Sequence, residues 1–105
     1  MPRALEPSTV FSQRLRDARL EAGLSQKALG IRAELDPFVA STRINRYERG
    51  IHIPDPTTAA KLAKVLGVPV EYFYARSDRM ARMIRAFDRL SATEQERALR
   101  VVGAP

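Results

Sequence analysis

The sequence predicts an all-α fold, with one small helical domain and an appended pair of helices. Apolar residues recur every three or four positions through most of the chain, the spacing that lines one face of an α-helix. Serine, aspartate and glycine stand where such helices would begin and end. The 105 residues are 45% hydrophobic and 29% charged, which is enough apolar content for one core and argues against disorder.

The composition limits the possible functions. Lys and Arg number 18 against 12 Asp and Glu, and this net charge of +6 favours polyanionic partners such as nucleic acid. There is no cysteine, so disulfides and thiolate metal sites are excluded. The sequence also has no Gly-rich phosphate loop, histidine pair or metal-ligand spacing, so we expect neither an enzyme nor a cofactor. No apolar run approaches about 18 residues and no signal peptide is evident, which predicts a cytoplasmic protein without a membrane partner.

Two helices are predicted near the N-terminus. Residues 1–8 contain two prolines and are expected to form a flexible arm. Ser8 or Thr9 is then expected to cap a first helix that ends at Gly23. Ser25 is expected to cap the second helix. The apolar pattern that predicts the first helix repeats every three to four residues, at Phe11, Leu15, Ala18 and Ala22.

The second helix is followed by a segment with mixed signals. Asp36-Pro37 should stop the helix, because the residue before a proline is pushed out of the helical region. Phe38-Val39 is then expected to form a short apolar plug under the loop.

Residues 41–50 have the pattern of a short helix that ends at Gly50. Ile44 and Tyr47 lie on one face of this helix, which is expected to pack against the core. The remaining positions carry side chains that form hydrogen bonds or bear positive charge: Ser41, Thr42, Asn45, Arg46 and Arg49.

Two further helices are predicted in the next stretch. Asp55 and Pro56 read as the cap and first residue of a fourth helix, which Gly67 ends. A fifth, short helix is expected to run through Tyr74. The buried stripe of the fourth helix is predicted to be Ala59, Leu62, Ala63 and Leu66.

Residues 77–105 are predicted to form an appended helical hairpin. Ser91-Ala92-Thr93-Glu94 has the pattern of a capping box and should begin the last helix. An arginine face at positions 79, 82, 85 and 89 is expected to be solvated. The helix before the capping box has an apolar face made of Met80, Met83, Ile84, Phe87 and Leu90.

Several short motifs occur in a recognisable order. They are Arg19, Gly23-Leu24-Ser25-Gln26, Leu29, Ile44, Tyr47-Glu48-Arg49-Gly50, Pro54, Leu62-Ala63 and Leu66-Gly67-Val68. This string closely resembles the Cro/C1-type helix-turn-helix family, also called the XRE family, of phage and bacterial transcriptional regulators. The resemblance covers residues 9–75. It implies a five-helix, lambda repressor-like domain at residues 9–76 whose second and third helices form the helix-turn-helix.

The resemblance also implies roles for individual residues. The base-facing positions of the family's recognition helix correspond to Ser41, Thr42, Asn45 and Arg46. Among them, we expect Arg46 to contact a guanine and Asn45 an adenine or a neighbouring phosphate. Arg19 and Glu48 match positions that form a structural ion pair between the first and third helices. The residues expected at the DNA backbone are Gln26, Lys27, Arg43 and Arg49, with a base edge left open for Arg43.

The chain departs from the family pattern in the turn of the motif. Between Leu29 and Glu48 it is about four residues longer than the usual family spacing, so the turn is not the tight three-residue kind described for helix-turn-helix units. The face of the third helix is therefore assigned, whereas its docking angle stays open.

The functional prediction is a sequence-specific regulator of double-stranded DNA, expected to be a repressor that binds a palindromic operator as a homodimer. Residues 77–105 are expected to supply the dimer interface through Met80, Met83, Ile84, Phe87 and Leu90, unless the hairpin folds back on its own domain. The alternative is an antitoxin or other adaptor that binds a protein partner through residues 79–105.

Overall fold

The computed structural model describes residues 7–105, and all regular structure within them is helical. The all-α prediction is therefore confirmed for this part of the chain. The predicted arm lies largely outside the described residues, as do the side chains of Ser8 and Thr9, although the first helix already begins at Pro7. The helices are α1 Pro7–Glu21, α2 Gln26–Arg32, α3 Ala40–Glu48, α4 Pro56–Leu66, a 3₁₀ helix Val70–Tyr74, α5 Asp78–Arg89 and α6 Ala92–Val101.

Side-chain caps begin three of the helices as predicted. The Ser25 hydroxyl accepts a hydrogen bond from the Ala28 N–H at 3.0 Å, and the Asp55 carboxylate accepts one from the Thr58 N–H at 2.7 Å. Ser91 and Glu94 exchange the two bonds of a capping box at the start of α6. The same Thr58 N–H lowers the pKa of Asp55.

The core lies where α1 packs on α3 and the 3₁₀ helix, and where α2 packs on α3 and α4. Gly30 in α2 lies in close contact with α3, because a Cβ atom placed on it would lie 2.7 Å from the Ala40 Cβ. The largest fully buried side chains come from every element of the predicted domain: Val10, Phe11, Leu15, Leu29, Ile44, Leu62 and Phe73.

The segment between α2 and α3 differs from its prediction in two ways. Helix α2 ends at Arg32, before Asp36-Pro37, and Glu34 follows with a left-handed φ of 67°. The predicted apolar plug at Phe38-Val39 is wrong, since Phe38 is 96% exposed and Val39 42% exposed. The buried residues are instead Leu35 and Ala40, which pin the two ends of the loop to the core.

Helix α5 is tied to the domain by polar contacts at two points. Arg14 donates to the Ala75 carbonyl at 3.0 Å and to the Asp78 carboxylate at 2.7 Å. Arg85 donates to both oxygens of Glu21, at 2.8 and 3.0 Å, and stacks on the Tyr72 ring. The prediction of a fully solvated arginine face is therefore wrong for Arg85, because this ion pair and ring contact half-bury it.

Helix α6 follows α5 after Leu90 and Ser91, as predicted for the appended pair, but it contains no buried residue. A hydrogen bond from the Gln95 amide to the Phe87 carbonyl, 2.8 Å long, joins it to α5. The radius of gyration is 15.0 Å. A compact chain of this length would have roughly 13 Å. The protein is therefore elongated, with extents of 48 × 33 × 23 Å.

Candidate nucleic-acid interface

Helix α3 has one face in the core and one in solvent. Ala40, Ile44 and Tyr47 are buried, as the spacing of Ile44 and Tyr47 predicted for the core-facing side. Ser41, Thr42 and Arg46 are exposed on the rest of the helix, and Asn45 is half-buried. The residues assigned to base contacts therefore lie on a single ordered helix, with three of the four open to solvent.

The buried face of α3 is fixed by specific contacts as well as by packing. The buried Ser12 hydroxyl on α1 donates to the Tyr47 carbonyl at 2.8 Å. At the other end of α3, Ala40 packs closely against Gly30. Because both ends are held, the exposed face of α3 is presented in one orientation.

The structure brings Arg19 and Glu48 together as a bidentate pair between α1 and α3. The Arg19 Nε and Nη2 groups donate to the two Glu48 oxygens, the second at 3.0 Å, and Nη1 donates to the Leu24 carbonyl at 2.9 Å. The side chains of Arg19 and Glu48 are only 11% and 5% exposed. Gln26 donates to the Glu48 Oε1 atom at 3.2 Å, so the same carboxylate also orients the first residue of α2.

A shallow polar depression of about 240 Å³ lies where α1, α2 and α3 meet. Arg16 and Arg49, both exposed, line it together with Asn45 and Gln26. The sequence predicts Gln26, Asn45 and Arg49 at the DNA surface, but it does not predict Arg16 there. Its position one helical turn before Arg19 on α1 is the signal that could have identified it.

The other residues predicted at the DNA backbone lie in different surroundings. Lys27 is exposed near the start of α2. Arg43 is half-buried, and its Nη2 group donates to the Tyr47 hydroxyl at 2.7 Å while its guanidinium lies 5.8 Å from the centre of that ring. The Nη2 contact places the Arg43 guanidinium beside the Tyr47 ring.

The predicted dimer face is only partly free. Met80 and Met83 are 55% and 58% exposed, whereas Ile84 packs against the domain core. Phe87 and Leu90 are half-buried. An apolar groove of about 430 Å³ runs between α5, α6 and the start of the 3₁₀ helix, and its lining includes Pro69, Met83, Ile84, Phe87 and Leu99.

Neither a metal-binding cluster nor a membrane-spanning helix is found in residues 7–105. These residues contain no group of three or more His, Asp or Glu side chains placed to hold a metal ion. Across the same residues, no helix is both long and apolar enough to cross a membrane.

The comparisons with known proteins agree with this geometry. A family model described as helix-turn-helix matches residues 15–73. The cryptic phage CTXphi transcriptional repressor RstR of Vibrio cholerae is 32% identical over 94 residues, covering 83% of this chain and 79% of RstR. The crystal structure of transcriptional regulator BswR superposes with a TM-score of 0.79 at 38% identity, covering 90% of this chain and 93% of BswR. The chain therefore belongs to the Cro/C1-type (XRE) helix-turn-helix family, whose members are DNA-binding transcriptional regulators and not enzymes.

Proposed function

We propose that this protein is a sequence-specific transcriptional repressor of bacterial or phage type that reads the major groove of a palindromic operator with α3, as a homodimer in the cytoplasm. The observation that carries the proposal is the division of α3 into a buried, doubly anchored face and an exposed polar face. The major groove admits an α-helix and displays a distinct donor and acceptor pattern for each base pair. Repression is favoured because RstR is described as a transcriptional repressor.

The exposed face of α3 has the chemistry that direct readout requires. Arg46 can pair with the O6 and N7 atoms of a guanine, and Asn45 with the N6 and N7 atoms of an adenine. Ser41 and Thr42, at the N-terminal end of α3, can reach further base edges. Asn45 is half-buried and lines the same depression as Gln26 and Arg49. A phosphate adjacent to the adenine is therefore a second group that Asn45 could contact.

The cations around α3 are suited to hold the phosphate backbone. Lys27 and Arg49 are exposed, and Arg16 extends this basic margin onto α1. Gln26 and Arg43 would also contact the phosphate backbone when DNA binds. Each phosphate that a cation neutralises releases counterions and steepens the dependence of affinity on salt.

The C-terminal helices are suited to hold the dimer together. Met80 and Met83 on α5 are exposed, and Val101 and Val102 at the end of α6 are 81% and 71% exposed. A second copy that covers these side chains would remove apolar surface from water, which is favourable. A dimer on a palindrome must place its two α3 helices about one turn of DNA apart, roughly 34 Å.

The same apolar groove supports a second candidate function. A protein partner of an antitoxin or adaptor could occupy the groove between α5 and α6 in place of a second copy. A second protein that purifies with this chain in stoichiometric amount would favour the adaptor. A homodimer that binds DNA alone would favour the simple regulator.

The experiment that tests the proposed function is selection of duplexes from a random pool, followed by affinity measurements at several salt concentrations. We expect the selected sequences to be palindromic. For Lys27→Ala, the slope of the logarithm of affinity against the logarithm of salt concentration should become shallower by about one for each protomer bound. Glu96→Ala, at an exposed position on α6, serves as the control and should leave the slope unchanged. Selection of no common sequence would contradict the proposal.

A further inference from the structure

The loop between α2 and α3 carries the most exposed of the large apolar side chains in the described part of the chain, Phe38, at 96%. We propose that Phe38 is a specificity-determining residue that contacts the 5-methyl group of a thymine in the major groove. The inference rests on the proposed function, because it requires α3 to enter that groove.

The exposure of Phe38 is built into an ordered turn. The Asp36 carboxylate accepts a hydrogen bond from the Phe38 N–H at 2.9 Å, and the Asp36 carbonyl accepts one from the Val39 N–H at 3.0 Å. Buried Leu35 and Ala40 anchor the loop on both sides. The backbone therefore holds the ring away from the core, and a contact made by this ring loses little backbone freedom.

The ring stands at the end of α3 that enters the groove in helix-turn-helix complexes. Residues at the N-terminus of a recognition helix contact the base edges. Phe38 lies two positions before Ala40, the first residue of α3, and three and four positions before exposed Ser41 and Thr42. The connection between α2 and α3 thus carries an exposed apolar side chain a few residues before two exposed polar ones.

A thymine methyl fits this side chain better than a protein surface does. The apolar surface of this loop comes from Phe38 and Val39. A stable protein interface buries about 800 Å² on each partner, far more than two side chains supply. The apolar groove between α5 and α6 is lined by other residues, so Phe38 does not extend it. Within the major groove, the feature that offers apolar contact is the methyl group of thymine.

The experiment combines a protein variant with removal of the methyl group from DNA. A duplex selected by the wild-type chain from a random pool is resynthesised with each thymine in turn, and its symmetry mate, replaced by uracil. This replacement removes the methyl group and keeps the base pair. Binding is measured for the wild type, for Phe38→Ala and for Ile53→Ala, which truncates a 56% exposed apolar side chain in the loop after α3.

One thymine position should stand out. Its replacement by uracil is expected to weaken wild-type binding about fourfold per half-site, the effect of leaving one methyl-sized group unburied. Phe38→Ala should lose affinity for the thymine duplex and no longer distinguish the two duplexes, whereas Ile53→Ala should distinguish them as the wild type does. Because Phe38 is exposed, its truncation should leave the unfolding midpoint unchanged.

Two results would overturn the inference. Phe38→Ala could keep full affinity for the thymine duplex, or it could lose affinity while still distinguishing thymine from uracil at the position where the wild type does. In either case α3 would bind DNA without this contact, and the proposed function would stand. If the wild type selects no duplex at all, both the proposed function and the inference fail.

Discussion

Helices α3 and α6 have similar lengths and opposite surroundings. Helix α3, of nine residues, buries Ala40, Ile44 and Tyr47 and is anchored to α1 and α2. Helix α6, of ten residues, buries none and leaves Val101 and Val102 largely exposed at its end. A polar face on a well-anchored helix is suited to reading DNA, whereas exposed apolar side chains on a helix that buries no residue are suited to contact with another copy or another protein. Under the proposed function, α3 would read DNA and α6 would help the chain to associate.

The largest expected effect tests the anchoring of α3. Glu48→Ala leaves the nearly buried Arg19 without its carboxylate, and the loss of one partner from a buried pair costs roughly 3 to 5 kcal/mol. Urea unfolding should show this decrease in the free energy of unfolding, while the exposed Glu96→Ala changes it little. Unchanged stability together with an altered base preference would show that Glu48 is a readout residue instead.

The next effect tests the close packing of α2 on α3. Gly30→Ala would place a methyl group 2.7 Å from the Ala40 Cβ, and overpacking of this kind typically costs about 1 to 3 kcal/mol. The double variant Gly30→Ala with Ala40→Gly moves the methyl group to the other helix. It should recover only part of the loss in thermal unfolding, because the Ala40 Cα and carbonyl carbon would still lie 3.1 Å from the added methyl group. A Gly30→Ala variant as stable as the wild type would mean that the two helices are not in limiting contact there.

A third prediction concerns α5 and α6. Met83→Asp places a charge on an exposed apolar side chain of the groove, so it should weaken the dimer by about tenfold or more without unfolding the domain. Light scattering at micromolar concentration measures the mass, and Thr57→Asp on exposed α4 surface is the matched control. The proposed dimer interface would be contradicted if the wild type is a monomer and Met83→Asp binds DNA as the wild type does.

The smallest effect concerns how α5 is attached. The hydrogen bonds and charge of Arg85 lower the pKa of Glu21 from its ordinary 4.5. A lowered folded-state pKa contributes stability above pH 4.5 that is lost as the pH falls through the folded value. Glu21→Gln should therefore be slightly less stable than the wild type at pH 7, and the difference in urea midpoint should shrink as the pH is lowered below 4.5. An unchanged difference across this pH range would contradict the ion pair.

The sequence was informative where structure is set locally. Ser25, Asp55 and the Ser91 capping box begin helices because their side chains bond to backbone groups a few residues away. Likewise, the spacing of Ile44 and Tyr47 was enough to orient α3. Arg19 and Glu48 are 29 residues apart, and the family resemblance was needed to pair them.

Features that depend on distant contacts could not be predicted. Arg85 was placed on a solvated face because its partner, Glu21, lies 64 residues earlier in the chain. Apolar residues are usually buried, which is why the sequence predicts a buried Phe38. In the structure, the buried apolar residues of this loop are instead Leu35 and Ala40, one on each side of Phe38. Arg16 was overlooked because the depression it lines forms only when three helices meet.

The central claim, that the exposed face of α3 reads bases, is tested most directly by repeating the duplex selection with Arg46→Ala and with Asn45→Ala. Arg46 is exposed and Asn45 half-buried, so both variants should fold. We predict that Arg46→Ala loses the preference for guanine at one symmetric pair of positions, at a cost of about 1 to 3 kcal/mol per contact. Asn45→Ala should weaken the base preference at a neighbouring position of the operator. If both variants select the same sequence as the wild type with unchanged affinity, α3 does not read the operator through these residues and the account is wrong.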